Sequence, residues 1–158
     1  MGTLYRFDSD VDTDQIIASQ YLLYPTIEEM KGHTFESLDP EFANKVKPGD
    51  YVVANENFGC GSSREQAPGV LKALGVKAVI AKSFARIFYR NSINIGMPIL
   101  ECPAASKAIR EGDVVSVNFD TGVITDETTG ETFEAMPFPP FIQNIIQKGG
   151  LMNSLKGE

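Results

Sequence analysis

The residues best suited to chemistry lie together at 57–67, in the run Asn-Phe-Gly-Cys-Gly-Ser-Ser-Arg-Glu-Gln-Ala. Its two glycines permit a tight turn and a close approach of the backbone to a ligand. Successive backbone N–H groups in such a turn favour an anion, and Arg64 adds a forked cation that suits a carboxylate. The run therefore indicates a site that holds a small carboxylic acid beside the hydroxyls of Ser62 and Ser63.

A purely structural role for these serines is the alternative. Ser63 could be the N-cap of a helix, with Gln66 three residues later completing a capping box. Arg64 is harder to explain by structure alone, because a basic residue opposes the helix dipole at an N-terminus.

Composition and charge limit the classes of protein to which this chain can belong. We expect residues 1–158 to form one domain, and a net charge of −7 argues against a nucleic-acid partner. Apolar runs are too short to span a membrane, and the N-terminus lacks a secretory pattern. Cys60 and Cys102 lie far apart and do not form a disulfide framework. We therefore expect a protein of the reducing cytoplasm, with no membrane association.

The elements that must position the site alternate between strands and helices. Apolar runs and helical spacings predict strand, helix, strand, helix and strand at 51–54, 67–74, 76–81, 84–95 and 97–100. This order implies a parallel sheet with right-handed crossovers. Ligands collect at the carboxyl ends of such strands, so Lys82 and Ser83 are expected near the glycine-rich turn.

The second of these helices and the C-terminal third carry further predictions. Ser83 is predicted to cap the helix, whose inner face is formed by Phe84, Ile87, Phe88 and Ile95. Farther along, the pattern predicts a hairpin, another strand and a closing helix at 113–126, 131–135 and 139–148.

The N-terminal segment begins with a predicted strand at 4–7 and continues into alternating aspartates, at Asp8, Asp10, Asp12 and Asp14. A calcium loop of the EF-hand type is disfavoured, because its sixth and twelfth positions hold Thr13 and Ser19 instead of glycine and glutamate. A turn closed by aspartate and threonine side chains is expected instead, and carboxylates that point into an active site are the alternative.

A long irregular segment at 24–48 follows, with helical turns predicted near 27–31 and 40–46. Such a segment in a compact domain is usually functional or mobile. His33 is the only histidine of the chain, and we expect it to be a loop residue without a catalytic role. A serine hydrolase is disfavoured, because its serine needs a base and a group that orients that base.

Three ordered motifs carry a resemblance to a known family. They are Val-Asp-Thr-Asp-Gln-Ile at 11–16, Phe-Gly-Cys-Gly-Ser-Ser-Arg-Glu at 58–65 and Lys-Ser-Phe-Ala-Arg-Ile at 82–87. Together they resemble the swivel domain of the aconitase superfamily, and their spacing resembles its free-standing form, the small subunits of the isopropylmalate dehydratase family. The resemblance implies an α/β fold, a three-layer β/β/α swivelling domain. It also implies a hydro-lyase that interconverts 2-isopropylmalate and 3-isopropylmalate in leucine biosynthesis and is active only with a large subunit.

The resemblance implies that this large subunit carries a [4Fe–4S] cluster, and the residues support that division. Removal and return of water needs a Lewis acid for the hydroxyl and a base for the carbon-bound proton. A cluster needs several cysteine ligands, whereas this chain has two, in unrelated contexts. We therefore expect no metal or cofactor in this chain, a dicarboxylic acid as substrate and the cluster in the partner. Whether the isolated chain forms a homo-oligomer stays an open question at this point.

The resemblance also implies roles for individual residues. Ser62 is the catalytic base, working as an alkoxide that the turn's N–H groups and Arg64 must stabilise. Ser63 and Arg64 hold a substrate carboxylate, and Asp12 and Thr13, which match a family motif near the site, are also expected to bind the substrate.

A substrate-reading loop is implied at 21–24, where Leu22 and Leu23 form an apolar pair. Such a pair suits an isopropyl group, which gains by leaving water, and penalises an unpaired carboxylate. Relatives that take an extra carboxylate have an arginine at the position matching Leu23. The alternative for the pair is a strand end packed into the core.

Other functions also stay open. Within the same class they are the small subunits of homoaconitase and 2,3-dimethylmalate dehydratase. From a different class, the alternative is a non-catalytic module that binds RNA. The acidic charge of the chain disfavours this alternative.

Overall fold

The computed structural model describes residues 2–62, 64–119 and 121–135, and its seven strands form one mixed sheet in the order β4-β3-β2-β1-β5-β6-β7. The strands are β1 Gly2–Arg6, β2 Tyr51–Ala54, β3 Ala78–Ala81, β4 Ile99–Glu101, β5 Val114–Asn118, β6 Val123–Asp126 and β7 Thr132–Glu134. β1 pairs in parallel with β2 and antiparallel with β5. A parallel half, β1 to β4, and an antiparallel half, β5 to β7, therefore meet at β1. This mixed sheet agrees with the α/β swivelling-domain fold that the family resemblance implies.

The helices lie mainly in the crossovers of the parallel half. They are α1 Thr13–Ile16, α2 Ile27–Met30, α3 Phe42–Lys45, α4 Gln66–Ala73, α5 Arg86–Ile95 and α6 Pro103–Ala108, with 3₁₀ helices at Ser19–Leu23 and Lys31–His33. Because β2, β3 and β4 follow one another in one direction across the sheet, right-handed crossovers place α4 and α5 on the same face. α4 contacts both α2 and α5.

Most of the predicted elements are confirmed. Every residue of β2 and β3 is buried, as expected for parallel strands covered on both faces. α4 begins at Gln66 with Pro68 in its first turn, where proline is tolerated. The predictions did not include α6, and the helix predicted at 139–148 lies outside the described residues.

The prediction for the start of α5 is wrong. The N-cap of α5 is Ala85, without a side-chain hydrogen bond, and Ser83 Oγ instead accepts a hydrogen bond from the backbone N–H of Asn57 at 2.8 Å. Because the helix begins three residues after Ser83, its buried stripe runs through Phe88, Ser92 and Ile93. Ile87, predicted on the inner face, is 48% exposed.

The antiparallel half contains a buried pair of carboxyl groups, Asp113 and Asp126. One oxygen of Asp126 accepts hydrogen bonds from the backbone N–H groups of Thr128 and Thr129, at 3.0 and 3.3 Å. Burial, and then the hydrogen bond with Asp113, raise the pKa of Asp126, while that same bond lowers the pKa of Asp113. The opposite directions assign Asp126 as the donor and Asp113 as the acceptor of the hydrogen bond between them.

We expect Asp126→Asn to stabilise the fold at neutral pH by about 1 kcal/mol, because an amide donates the same hydrogen bond without binding a proton. In the wild type, the stability from Asp126 is present below its unfolded pKa and is lost as the pH rises through its raised folded pKa. Urea unfolding between about pH 4 and pH 8 should show a gain that grows with pH. Asp126→Ala also lacks the titrating carboxyl, so its stability relative to the wild type should rise with pH as well. Because alanine cannot donate the hydrogen bond, Asp126→Ala should be less stable than Asp126→Asn at every pH; equal stability of the two variants would contradict the assignment.

Candidate active site

The glycine-rich turn leaves the carboxyl end of β2 and packs directly against α5. Gly59 has φ +85° and approaches α5 so closely that a Cβ there would lie 2.2 Å from Cγ of Phe88. Gly61 has φ +94°, a left-handed conformation that glycine adopts without strain. Ser83 contacts the same turn, because its carbonyl oxygen accepts from the N–H of Phe58 at 3.1 Å. The predicted proximity of Ser83 to the turn is therefore confirmed.

Backbone hydrogen bonds join this turn to the N-terminal motif. The N–H of Gly59 donates to the carbonyl of Val11 at 2.7 Å, and the N–H of Thr13 donates to the carbonyl of Cys60 at 2.8 Å. The hydroxyl of Thr13 adds a bond to the carbonyl of Ser62, 49 residues away, at 2.8 Å. The motifs at 11–16 and 58–65 thus form one structural unit.

Ser62 is exposed at the outer end of this unit, so a ligand can reach it. Its carbonyl oxygen accepts two hydrogen bonds, from Thr13 Oγ1 and from the N–H of Arg64 at 3.0 Å. Ser63 lies outside the described residues.

Arg64 lies against the N-terminal helix α1. Its Nη1 donates to Asp14 Oδ1 at 2.9 Å and to the carbonyl of Ile17 at 3.2 Å. The bond from Arg64, and then a backbone bond from Ser19, lower the pKa of Asp14. The Arg64 side chain is only 19% exposed, so the guanidinium is held in place against Asp14 and Ile17.

Asp12 and Thr13 have well-defined contacts within the protein. Asp12 is the N-cap of α1 and forms a capping box with Gln15, in which each residue's side chain accepts from the other's backbone N–H. Thr13 is 2% exposed. The structure thus brings Asp12, Thr13, Ser62 and Arg64 together, and substrate binding by the first two stays a prediction.

The two leucines of the predicted substrate-reading loop differ in exposure. Both lie on the 3₁₀ helix Ser19–Leu23, so they do not form a strand end. Leu22 packs partly against the core, whereas Leu23 is 87% exposed. Leu23 is therefore the residue of the pair that is free to meet a ligand or a partner.

An aromatic and carboxylate cluster fixes that 3₁₀ helix, and the sequence reasoning missed it. The rings of Tyr21 and His33 stack with centroids 3.8 Å apart and planes 6° apart. Glu36 accepts from the Tyr21 hydroxyl and contacts His33 Nδ1 at 2.7 Å. The Tyr21 bond, and then the His33 bond, lower the pKa of Glu36. His33 thus helps to hold the loop in place. In the sequence, only the three-residue spacing between His33 and Glu36 could have indicated this contact.

The two cysteines have different surroundings. Burial, then the charges of Asp12 and Asp10, raise the pKa of Cys60. Cys102 is buried, with its Sγ 3.7 Å from the carbonyl oxygen of Glu134. Across 2–62, 64–119 and 121–135, no three His, Cys, Asp or Glu residues are grouped as metal ligands would be. The same residues contain no helix long and apolar enough to cross a membrane.

The fold and the joined motifs define a class: the chain belongs to the aconitase C-terminal domain family, which matches residues 7–105. Curated relatives within this family carry more specific names. The 3-isopropylmalate dehydratase small subunit of Heliobacterium modesticaldum is 57% identical over 155 residues, which cover 98% of this chain and 93% of the relative. The 3-isopropylmalate dehydratase small subunit of Clostridioides difficile is 54% identical, with 98% and 95% covered.

Two further relatives bear on substrate and fold. The 2,3-dimethylmalate dehydratase small subunit of Eubacterium barkeri is 54% identical over 152 residues, which cover 96% of this chain and 93% of the relative. The crystal structure of a 3-isopropylmalate dehydratase from Methanocaldococcus jannaschii superposes with a TM-score of 0.94 at 44% identity, covering 99% of this chain and 92% of that one. The predicted fold is confirmed by this likeness.

Proposed function

We propose that this chain is the small subunit of a 3-isopropylmalate dehydratase, a hydro-lyase of leucine biosynthesis. It isomerises 2-isopropylmalate and 3-isopropylmalate by removing and returning water, in the cytoplasm. The observation that carries the proposal is an exposed Ser62, tied to Thr13 and adjoining a fixed Arg64, in a chain 57% identical to a small subunit of that name.

In this proposal Ser62 is the catalytic base. As an alkoxide it takes the proton from the carbon that loses hydrogen, the C–O bond on the neighbouring carbon breaks so that hydroxide leaves with the bonding electrons, and an alkene forms. Addition of hydroxide to the other carbon of the alkene, with return of the proton from Ser62 to the carbon that lost the hydroxyl, gives the isomer and restores the alkoxide. The backbone N–H groups of the turn and the Arg64 charge lower the cost of ionising a serine.

Arg64, with Ser63, holds a carboxylate of the substrate. Both contacts of Arg64 with α1 and the chain after it use Nη1, and a guanidinium has five N–H donors. The remaining donors suit a carboxylate. The pairing with Asp14 thus supports binding, because it fixes the guanidinium before the substrate arrives.

The hydroxyl that leaves needs a Lewis acid, and we assign the [4Fe–4S] cluster that supplies it to a large subunit. The residues of this chain do not fit such a cluster. Fe–S clusters are held mainly by several cysteine thiolates, whereas this chain has only Cys60 and Cys102, of which Cys102 is buried. The relatives' designation as small subunits supports a heteromeric partner.

A 2,3-dimethylmalate dehydratase is the second candidate, because a relative of that name is 54% identical. Both substrates are malates with alkyl substituents. Apolar pockets discriminate such groups by only about 10- to 200-fold per methylene, so Leu22 and Leu23 suit both.

We expect the purified chain alone to be inactive, and to turn over 3-isopropylmalate once its large subunit is added under anaerobic conditions. The reason is that the proposed base lies on this chain, whereas the Lewis acid lies on the large subunit. Formation of the alkene intermediate is followed by ultraviolet absorbance, with the large subunit alone as a control. Parallel assays on 2,3-dimethylmalate compare the two candidate functions by kcat/KM. Turnover by this chain alone would exclude a two-subunit enzyme.

A further inference from the structure

We propose that Thr13 is a positioning residue for Ser62, holding the serine through its carbonyl oxygen instead of contacting the substrate. The inference rests on the proposed function, in which Ser62 is the base. It replaces the substrate contact predicted for Thr13 with a bond to Ser62, which lies in a different motif of the sequence.

The hydroxyl of Thr13 is already used within the protein. Thr13 is 2% exposed, and its Oγ1 donates to the carbonyl of Ser62 at 2.8 Å. A threonine hydroxyl has one hydrogen to donate. Donation to a substrate would require this bond to break inside a buried setting, where an unmade hydrogen bond is costly.

The carbonyl oxygen of Ser62 is the atom through which hydrogen bonds can orient the base. Ser62 follows Gly61, whose backbone adopts φ +94° and has wide conformational freedom. Ser62 is exposed, so packing does not immobilise it. Two hydrogen bonds to one carbonyl oxygen, from Thr13 Oγ1 and the Arg64 N–H, fix the peptide plane that follows Ser62. A base must lie within hydrogen-bond reach of its proton, and a displacement of about 1 Å can cost about 100-fold in rate.

The surroundings allow the hydroxyl to be tested alone. The backbone N–H of Thr13 bonds Cys60 at 2.8 Å whatever the side chain, and the capping box of Asp12 and Gln15 is separate. Gly61 packs against this side chain, since a Cβ at Gly61 would lie 3.5 Å from Thr13 Oγ1. Thr13→Val keeps this shape and removes the bond, whereas Thr13→Ser keeps the hydroxyl and removes a methyl group.

The test compares both variants, each assembled with the large subunit and assayed far below its Tm. Thr13→Val is expected to lower kcat by about 10- to 100-fold with little change in KM, and Thr13→Ser to retain most of kcat. A merely structural role would lower Tm and leave kcat per assembled enzyme unchanged. Wild-type kcat in Thr13→Val, or equal losses in the two variants, would overturn the inference.

A double-mutant cycle shows whether Thr13 acts through Ser62. In a Ser62→Ala background, Thr13→Val is expected to cause no further loss, because no base is left to position. The same fold-loss in both backgrounds would mean that Thr13 acts independently and would overturn the inference. An inactive wild-type pair would overturn the proposed function as well, so the two failures are distinguishable.

Discussion

Ser62→Ala is expected to lower kcat by about 10²- to 10⁴-fold, the range contributed by a positioned general base. KM should change little, because the hydroxyl acts in the transition state and not in ground-state binding. Ser62 is exposed, and the contacts that hold it use its carbonyl oxygen, which alanine keeps. The variant should therefore fold and assemble normally. The measurement is kcat and KM on 3-isopropylmalate with saturating large subunit.

Ser37→Ala is the matched control, because Ser37 is also an exposed serine and lies on the loop between β1 and β2. It should keep wild-type kcat. Size-exclusion chromatography of both variants with the large subunit checks assembly. A near-normal kcat in Ser62→Ala would show that the hydroxyl of Ser62 serves only the local structure of the turn.

The sequence was informative where a local pattern decides the structure. The apolar runs of β2 and β3 and the apolar spacing of α4 predicted the parallel half of the sheet. They could do so because the periodicity and the length of an apolar run differ between strands and helices. The glycines of the motif at 58–65 likewise predicted a tight turn beside Ser62, and Gly59 and Gly61 both adopt positive φ there.

The contacts that shape the site could not be predicted, because they join distant segments. Nothing local relates the hydroxyl of Thr13 to the carbonyl of Ser62, 49 residues away. Ser83 resembled an N-cap, but its hydroxyl oxygen accepts from the backbone N–H of Asn57, 26 residues earlier in the chain. In that case a tertiary hydrogen bond prevailed over a local preference of serine for helix caps.

The loop that carries Leu23 gives the last prediction: Leu23→Arg should shift the kcat/KM ratio toward homoisocitrate over 3-isopropylmalate by about 100-fold. An isopropyl group gains by leaving water beside leucine, whereas a carboxylate in the same place is desolvated without a partner. An arginine supplies that partner as a forked cation. Leu23 is 87% exposed, so its replacement should cost the fold little.

The cluster of Tyr21, His33 and Glu36 keeps the loop in one place, so the new cation should occupy the position of the leucine. Leu38→Arg is the matched control, because it makes the same change of charge at a leucine that is 42% exposed on another segment. It should leave the ratio unchanged. Both substrates are assayed on all three proteins with one preparation of large subunit. A wild type that already prefers homoisocitrate, or a ratio that moves equally in both variants, would mean that Leu23 does not select the substrate.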